Sequence, residues 1–329
     1  MNMLVTGGGG FLGSRIVERL IERGYRVASL GRSEQPELEA RGVEVIRADL
    51  TDVDAVVRAC SGRDGVFHVA AKAGVWGSRR EYWDANVMGT RNVIAGCRLH
   101  GVGKLVYTST PSVVFTGDSF EGADESLPYG RNWLSDYPET KAIAERAVLE
   151  AHTPGLLATC ALRPHLLWGS GDPHLLPRVI ARAASGRLRQ VGDGLNRVDL
   201  THVTNAAKAH LDAWDALERG TAGGRAYFIS NGEPVALWPW INDLLERLAM
   251  PPVRKRLSLS AAYRLGAALE GVWRLGRLSG EPPMTRFVAV ELAKSHWFSI
   301  EAARRDLGYK PEVSMEAGVR GYVGETLKS

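Results

Sequence analysis

The chain of 329 residues carries 41 Lys and Arg against 37 Asp and Glu, a formal net charge of +4 at pH 7. Because this small excess is spread over the whole length and forms no basic stripe, nucleic acid is not a favoured partner. No run of about eighteen uncharged apolar residues occurs, so the sequence predicts no membrane-spanning helix. At this length we expect one large domain with a smaller companion.

The three cysteines, Cys60, Cys97 and Cys160, stand far apart in the sequence. They form no C-x-x-C pair and have no histidine at metal-ligand spacing, which predicts reduced thiols, no metal site and a cytoplasmic protein. The first residues run straight into a strand and a glycine loop, which leaves no room for an export signal. We therefore expect the protein to remain in the cytoplasm.

Short apolar strands alternate with helical stretches through the first half of the chain. This alternation predicts an α/β fold with a parallel, doubly wound sheet of the Rossmann type and right-handed crossovers. Ligands bind such sheets at the carboxyl ends of the strands, so chemistry is expected in the residues that follow each strand. The six predicted strands are 3–6, 26–30, 43–47, 65–69, 104–108 and 157–162.

The first strand leads directly into the glycine-rich segment 7–13, which a helical stretch follows at 14–23. The segment satisfies both G-x-G-x-x-G and G-x-x-G-x-x-G, and its place between a strand and a helix is typical of a dinucleotide-binding loop. Glycine allows the backbone to approach a pyrophosphate, whose charge the free amides at the helix start stabilise. The residues predicted to contact the cofactor here are Gly7, Gly10, Phe11, Leu12 and Gly13.

The end of the second strand indicates which dinucleotide is bound. An acidic residue there would bond the ribose 2′-hydroxyl of NAD, but this strand ends Leu30-Gly31-Arg32-Ser33. Arg32 offers a cationic fork that can pair with the 2′-phosphate and stack on adenine, so NADPH/NADP+ is the predicted cofactor. Glu34 is acidic and close by, which keeps NAD open. Asp49 and Leu50 follow the third strand and are placed to meet the adenine, although Asp49 could equally cap the next helix.

Tyr137 and Lys141 stand four residues apart in the stretch DYPETK, which is predicted to be helical. Residues at this spacing lie on one face of a helix, so both side chains can point at one ligand. An ammonium close to a phenol favours the phenolate, so we expect Lys141 to lower the pKa of Tyr137. A phenol tuned in this way is a general acid for carbonyl reduction when a cofactor delivers hydride.

Beyond Pro164 the alternation becomes less regular, with Gly/Asp turns and one more strand-like run at 226–230. This change predicts a smaller, mostly helical substrate-binding domain interleaved with the end of the first domain. Segment 257–278 is rich in Leu and Ala but is interrupted by arginines. It is predicted to be an amphipathic helix that closes over a substrate pocket or docks on a partner, and peripheral membrane association is the alternative. The expected boundaries are 1–163 for the NADP-binding Rossmann domain, with about 199–232 returning to it, and 164–198 with 233–329 for the substrate-binding domain.

Several motifs taken together resemble the extended short-chain dehydrogenase/reductase superfamily. They are the glycine loop, Asn86-Val87-Met88-Gly89-Thr90, Tyr107-Thr108-Ser109-Thr110 and Tyr137-x-x-x-Lys141. Within the superfamily, Leu162-Arg163-Pro164 and the run from Gly192 to Val203 resemble the 3β-hydroxysteroid dehydrogenase branch. Segments 70–78, 107–113, 226–234 and 295–297 are similar to the bacterial 2-alkyl-3-oxoalkanoate reductases of long-chain olefin biosynthesis. The resemblance covers essentially the whole chain.

The resemblance implies a role for each matching residue. Tyr137 would be the proton donor, Lys141 would also bind the nicotinamide ribose, and Thr110 would orient the substrate carbonyl, with Ser109 or Ser112 as alternatives. Asn86 would steady the active-site backbone or a relay water, unless it is an ordinary helix cap. The resemblance further implies cofactor contacts from Ala70, Ala71, Lys72, Pro164, His165 and Leu166.

The resemblance also implies a substrate, a long-chain 2-alkyl-3-keto acid whose ketone NADPH reduces to a hydroxyl. Substrate contacts are expected from Trp76, Ser112, His165 and Trp168, and Val75, Trp133 and Leu167 are further apolar candidates. Each of these apolar side chains is of a kind found more often in a core than in a pocket. The carboxylate of this substrate requires a cation or amide donors, for which His165, Arg79 and Arg178 are unranked candidates.

Other functions remain open from the sequence. A sugar-nucleotide epimerase, a sterol dehydrogenase or a dihydroflavonol-type reductase would share every motif above and differ in the pocket. A non-catalytic NADP-binding regulator would usually lack the tyrosine or the lysine, and both are present here. A homodimer is expected from the resemblance, and the instability of β-keto acids suggests assembly with the neighbouring enzymes of the olefin pathway.

Overall fold

A computed structural model describes residues 1–328. Its fifteen strands form one large sheet and three small ones. All six strands predicted from the first half are present, and so is the seventh near residue 226. In chain order the strands are β1 (Asn2–Thr6), β2 (Arg26–Gly31), β3 (Glu44–Arg47), β4 (Gly65–His68), β5 (Lys104–Thr108), β6 (Phe120–Ala123), β7 (Ala158–Pro164), β8 (Leu167–Trp168), β9 (Gln190–Val191), β10 (Arg197–Val198), β11 (Thr201–His202), β12 (Arg225–Ile229), β13 (Val235–Ala236), β14 (Arg256–Leu257) and β15 (His296–Phe298).

The helices of the first half alternate with the strands of the large sheet, whereas those of the second half are separated mainly by short strands of the smaller sheets. Two π-helical turns, Trp83–Met88 and Ala303–Leu307, and one 3-10 turn, Pro111–Val114, complete the elements. The α-helices are α1 (Phe11–Glu22), α2 (Pro36–Glu39), α3 (Val53–Ala59), α4 (Arg79–Tyr82), α5 (Gly89–Leu99), α6 (Asp136–Glu150), α7 (Leu175–Ala184), α8 (Val203–Glu218), α9 (Leu237–Arg247), α10 (Leu259–Leu275), α11 (Arg286–Glu291) and α12 (Met315–Thr326).

The large sheet has seven strands in the order β3-β2-β1-β4-β5-β7-β12. Every pair of neighbours runs parallel, which confirms the predicted doubly wound Rossmann class. The chain fills one side of the sheet with β2 and β3 and then returns to β4, on the other side of β1. This reversal opens a crevice at the carboxyl ends of β1 and β4, where such sheets bind their ligands.

Two apolar cores cover the faces of this sheet, and a third lies in the second half of the chain around Trp168, Leu176 and Trp238. A four-stranded sheet, β13-β10-β15-β6, links the halves because β6 from the first half pairs in parallel with β15. The chain therefore crosses between its halves more than once. The two-domain division with its boundaries stays a prediction.

A buried ion pair fixes helix α6 against strand β7. Arg163, in β7, donates from Nη2 to Glu145 Oε1 at 2.6 Å and from Nε to Glu145 Oε2 at 3.1 Å. Tyr129 donates its hydroxyl to the same carboxylate at 2.8 Å, and the guanidinium lies over the ring of Phe228. Both charged side chains are at least 95% buried. The pair therefore sets the position of the helix that carries Tyr137 and Lys141.

Removing one member of this pair should be far more harmful than removing both. We expect Arg163→Met to lower the free energy of unfolding by about 3–5 kcal/mol, because the Glu145 carboxylate is left buried without its partner. The double variant with Glu145→Met should recover much of that loss. Urea unfolding followed by circular dichroism measures both. Equal losses in the single and double variants would contradict this account of the pair.

Candidate active site

The glycine loop turns tightly between β1 and α1. Gly7 has φ +73°, a conformation that favours glycine, and the amide of Gly10 donates to the Gly7 carbonyl at 2.9 Å. A Cβ at position 13 would lie 2.0 Å from that carbonyl oxygen, so Gly13 permits the close approach of α1. The first turn of α1 leaves the amides of Phe11 and Leu12 without helical partners. This cradle of backbone amides fits a pyrophosphate.

The residues after β2 and β3 present one available guanidinium. Arg32 is 83% exposed, and its Nη1 lies 4.0 Å from Asp49 Oδ2. Glu34, the acidic alternative for the ribose, is engaged by Arg47 at 3.2 Å. Asp49 accepts from the amide and hydroxyl of Thr51, which hold the pKa of its carboxyl below the ordinary value. Asp49 does not cap the next helix, because the cap of α3 is Asp52. Leu50 follows Asp49 and is buried.

Tyr137 and Lys141 share one face of α6, but the electrostatics differ from the sequence expectation. Burial raises the pKa of Tyr137 to about 12, although its hydrogen bond with Thr110 acts in the opposite direction. Lys141 donates Nζ to the carbonyl of Thr108 at 2.7 Å and lies over the ring of Tyr107. Burial lowers the pKa of Lys141 to about 7. The expectation that Lys141 lowers the pKa of Tyr137 is therefore wrong here, because desolvation dominates at both groups.

Asn86 lies in the π-helical turn Trp83–Met88 and connects three parts of the site. Its Oδ1 accepts from the amide of Lys72 at 2.8 Å, and its Nδ2 donates to the Lys72 carbonyl and to Thr140 in α6. These bonds join the segment after β4 to the helix of Tyr137. Asn86 is thus placed to position the backbone around the tyrosine.

The segment after β4 contacts the glycine loop. The amide of Ala70 donates to the Thr6 carbonyl at 3.0 Å, and its backbone lies against Gly7. Ala71 is exposed, whereas Lys72 forms an ion pair with Glu81 at 2.8 Å. These residues border the crevice at β1 and β4.

A buried histidine supports this region. His68 lies at the end of β4, with Nδ1 2.7 Å from Thr6 Oγ1 and Nε2 2.9 Å from Thr90 Oγ1. Burial and nearby Lys141 lower its pKa to about 3, so the ring is neutral at ordinary pH. The sequence offered no signal for His68, because a single histidine in an apolar strand has no motif of its own.

The end of β7 places a second histidine, His165, beside a cavity. Pro164 ends the strand, and Leu166 has φ +41°, a strained conformation for a residue with a side chain. His165 donates its amide to Thr201 Oγ1 at 3.1 Å. Its Nδ1 is hydrogen-bonded to Asp199, and its Nε2 lies 3.1 Å from His296 Nδ1. The cavity is lined by Pro111, Ser112, His165, Glu291, Lys294 and His296, among others.

Hydroxyl groups connect this cavity to the tyrosine. Ser112 Oγ accepts from Thr110 Oγ1 at 3.2 Å, and Thr110 is the hydrogen-bond partner of Tyr137. Sequence reasoning did not identify Asp199, Lys294 or His296 as site residues. Asp199 and His296 lie in segments that carried the family resemblance, but nothing in those segments alone shows which side chains point inward.

The other predicted substrate residues divide into two groups. Trp76 is half-buried and has the guanidinium of Arg274, from α10, 5.4 Å from its ring. Trp168 is fully buried and packs edge-on against Trp240 and His202, a placement that favours packing over substrate contact.

The two arginines proposed for the carboxylate already have acidic partners. Arg79 pairs with Asp136 and Glu139, and Arg178 pairs with Glu281. Neither guanidinium is therefore a free cation.

An apolar cluster with members from both halves of the chain borders the cavity, which Phe115 and Val290 line. Phe115 and Phe287 pack with ring centroids 4.8 Å apart, and Val75, Trp133 and Tyr263 lie against them. The helix predicted near 257–278 is present as α10, and it contributes Tyr263 to this cluster. None of the helices in residues 1–328 combines the length and hydrophobicity needed to cross a bilayer.

The fold and the site together define an oxidoreductase of the extended short-chain dehydrogenase/reductase type. The chain belongs to the 3-beta hydroxysteroid dehydrogenase/isomerase family, whose model matches residues 4–259. It is 54% identical to the 2-alkyl-3-oxoalkanoate reductase of Stenotrophomonas maltophilia (strain K279a), covering 97% of this chain and 98% of that one. It is 35% identical to the sterol-4-alpha-carboxylate 3-dehydrogenase, decarboxylating, of Mus musculus, covering 96% and 88%.

Solved structures show the same architecture. The crystal structure of gox2253 is 27% identical with a TM-score of 0.78, covering 99% of this chain and 98% of that one. MoeE5 in complex with UDP-glucose and NAD is 24% identical with a TM-score of 0.76, covering 100% and 99%, and this likeness shows the fold alone.

The depressed pKa of Lys141 predicts a pH-dependent stability. Between about pH 7 and pH 9 the unfolded chain binds a proton at this lysine that the folded chain has lost, so the free energy of unfolding should rise with pH. Lys141→Met should remove up to about 1 kcal/mol per pH unit of that rise. Urea unfolding across this range measures the slope, with exposed Lys310→Met as the control. Parallel curves for wild type and Lys141→Met would contradict the assignment.

Proposed function

We propose that the chain is an NADPH-dependent reductase that converts the 3-keto group of 2-alkyl-3-oxoalkanoic acids to a hydroxyl, in olefinic hydrocarbon biosynthesis. The observation that carries this proposal is the 54% identity, over nearly the full length of both chains, to a reductase of that name. A second reductase of that name, from Shewanella oneidensis, is 47% identical over 96% of this chain and 84% of that one. Tyr137, Lys141 and Thr110 supply the chemistry.

The amides of the glycine loop would hold the pyrophosphate, and Arg32 would pair with the 2′-phosphate of NADPH. The Arg32 side chain is 83% exposed and lies 4.0 Å from Asp49, so it can turn to that phosphate at small cost. Glu34 is drawn away by Arg47, so it does not oppose the additional negative charge. The remaining cofactor contacts would come from Asp49, Leu50, Ala70, Ala71, Lys72, Pro164, His165 and Leu166.

When bound, the nicotinamide supplies hydride to the ketone carbon. Tyr137 is protonated at neutral pH because its pKa is about 12, and it would donate that proton to the ketone oxygen. Thr110 would orient the same oxygen. Lys141 lies on the same face of α6 as Tyr137, and its ammonium form, which is populated below about pH 7, would stabilise the phenolate as the proton leaves. Asn86 would hold helix α6 and the segment after β4 in fixed positions relative to each other.

The surroundings of the site favour a lipid-like substrate over a sugar nucleotide. Phe115, Phe120, Val290 and Phe298 give the cavity an apolar lining, and the nearby Arg79 and Arg178 are neutralised by acidic partners. Two alkyl chains gain from such a surface through the hydrophobic effect. A sterol acid is the second candidate, since the 35% identical relative is named for one. In both named substrates the carboxylate is attached to the carbon next to the one that bears the reacting oxygen.

Homodimerisation, a cytoplasmic location and assembly with neighbouring pathway enzymes stay predictions.

Replacement of Tyr137 by Phe tests the donor role. We expect Tyr137→Phe to retain NADPH binding and to lose at least about 100-fold in kcat with a freshly made 2-alkyl-3-oxo acid, because the general acid is absent. Oxidation of NADPH by purified protein measures turnover, and Tyr25→Phe, at a tyrosine in the turn between α1 and β2, is the control. Full activity in Tyr137→Phe would exclude the donor role, and a folded, NADPH-binding wild type without turnover would exclude the substrate.

Arg32 should determine the preference for the phosphorylated cofactor. Arg32→Ala is expected to raise KM for NADPH about 10- to 100-fold, in line with loss of a charge-assisted bond to phosphate. KM for NADH should change little, because NADH has no 2′-phosphate for the guanidinium. Steady-state kinetics with both cofactors decides this. An equal effect on NADPH and NADH would assign Arg32 a general role at the adenine.

A further inference from the structure

Three buried groups form a chain of hydrogen bonds beside the cavity. Asp199 contacts His165 Nδ1, His165 Nε2 lies 3.1 Å from His296 Nδ1, and His296 Nε2 lies 2.8 Å from the carbonyl oxygen of Glu291. Asp199 is 1% exposed. Its other oxygen accepts from the amide of Phe298 at 3.0 Å.

The two ends of this series of hydrogen bonds fix the positions of two protons. A carbonyl oxygen only accepts, so His296 must donate from Nε2, and an ionised Asp199 requires His165 to donate from Nδ1. Each neutral imidazole carries a single N–H, so both inner nitrogens would then be acceptors facing each other at 3.1 Å. Three contacts require three protons, whereas an ionised carboxylate and two neutral imidazoles supply two.

An additional proton also resolves the charge of Asp199. Within residues 1–328 no Lys or Arg nitrogen lies within 4.0 Å of this buried carboxylate, and His165 is its ion-pair partner. A buried charge without a counter-charge is costly. One added proton makes Asp199, His165 and His296 neutral as a unit, whichever of the three groups carries it.

We propose that Asp199, His165 and His296 hold this additional proton and that, together with Lys294, they form the subsite for the substrate carboxylate. The proposal rests on the proposed function, in which the substrate is a 3-oxo acid. Lys294 lines the same cavity, and its ammonium makes no ion pair or hydrogen bond within the part of the chain that the structure describes. It is therefore available to a carboxylate.

The position of the cavity fits the chemistry of such a substrate. The ketone carbon of a 3-oxo acid is two bonds from its carboxyl carbon, so the two groups must bind close together. Ser112 lines the cavity and is joined to Tyr137 through Thr110. A ketone oxygen held by Tyr137 and Thr110 would thus place its carboxylate towards Ser112, Lys294 and the histidines.

The other charges around the cavity make the proton necessary for binding an anion. Glu291 and Asp118 line the cavity with Lys294, and Glu291 lies 3.7 Å from His296 Nε2. The pKa of His296 is lowered, mainly by burial and in part by His165, although the carboxylates of Glu291 and Asp199 act in the opposite direction. Loss of the proton at higher pH would add a negative charge beside the substrate carboxylate. The affinity for an acid should therefore fall as pH rises.

A divalent cation between the rings is the competing explanation. His165, Glu291 and His296 have ligand atoms within 4.8 Å of one another. The carboxylate of Glu291, however, lies next to His296 Nε2, whereas His165 faces His296 Nδ1. The two nitrogens of one imidazole point in different directions, so no single nitrogen of His296 faces both partners. This geometry favours the proton.

The kinetic test compares a 2-alkyl-3-oxo acid with its methyl ester, which lacks the charge. Lys294→Met should raise KM for the acid about 10- to 100-fold, as loss of a charge-assisted hydrogen bond predicts, and change KM for the ester by less than about 3-fold. Lys310→Met is the control. Equal effects on acid and ester would overturn the role of Lys294. A wild type that reduces neither compound would instead reject the proposed function.

His296→Asn tests the proton itself, because the asparagine amide can donate to His165 Nε2 without an additional proton. In wild type, KM for the acid should rise with pH while KM for the ester does not, and the variant should lose this dependence. Nuclear magnetic resonance of protein with ¹⁵N-labelled histidine, which requires no turnover, should show a downfield imidazole proton that His296→Asn removes. Absence of that proton in wild type, or one equivalent of a metal retained by wild type and lost in the variant, would overturn the proposal.

Discussion

The buried ion pair between Arg163 and Glu145 is the constraint on which the rest of the site depends. It joins β7, which ends at Pro164, to α6, which carries Tyr137 and Lys141. Because an unpaired charge in the interior costs several kcal/mol, the helix cannot shift along the strand without a large loss of stability. The proton donor and the strand that leads to His165 are thereby held in one register.

The site draws on both halves of the chain because β15 pairs with β6. This pairing brings His296 next to His165, although the two are 131 residues apart in sequence. One side of the resulting cavity is polar, with the hydroxyls, histidines and Lys294. The apolar side chains of Phe115, Phe120, Val290 and Phe298 also line it. Such a division suits a molecule with a polar head and long alkyl chains.

Local signals predicted the seven strands of the large sheet and the glycine loop, because strand period and glycine spacing act over a few residues. They also placed Tyr137 and Lys141 on one face of α6. The pKa shifts were not predictable, since burial of Tyr137 and Lys141 depends on the packing of distant segments. The neutralisation of Arg79 and Arg178 was not predictable for the same reason, since Asp136 and Glu281 are 57 and 103 residues away from them in sequence.

The sequence by itself determined the class of fold, the dinucleotide loop and the pair of catalytic candidates on α6, because each rests on contacts between near neighbours in the chain. The tertiary structure decided which charges are free. It paired Glu34 with Arg47, neutralised two arginines, left the Lys294 ammonium without a partner among residues 1–328 and placed Asp199, His165 and His296 in one hydrogen-bonded chain. Protonation and charge balance depend on burial and on partners from remote strands, which no local pattern contains.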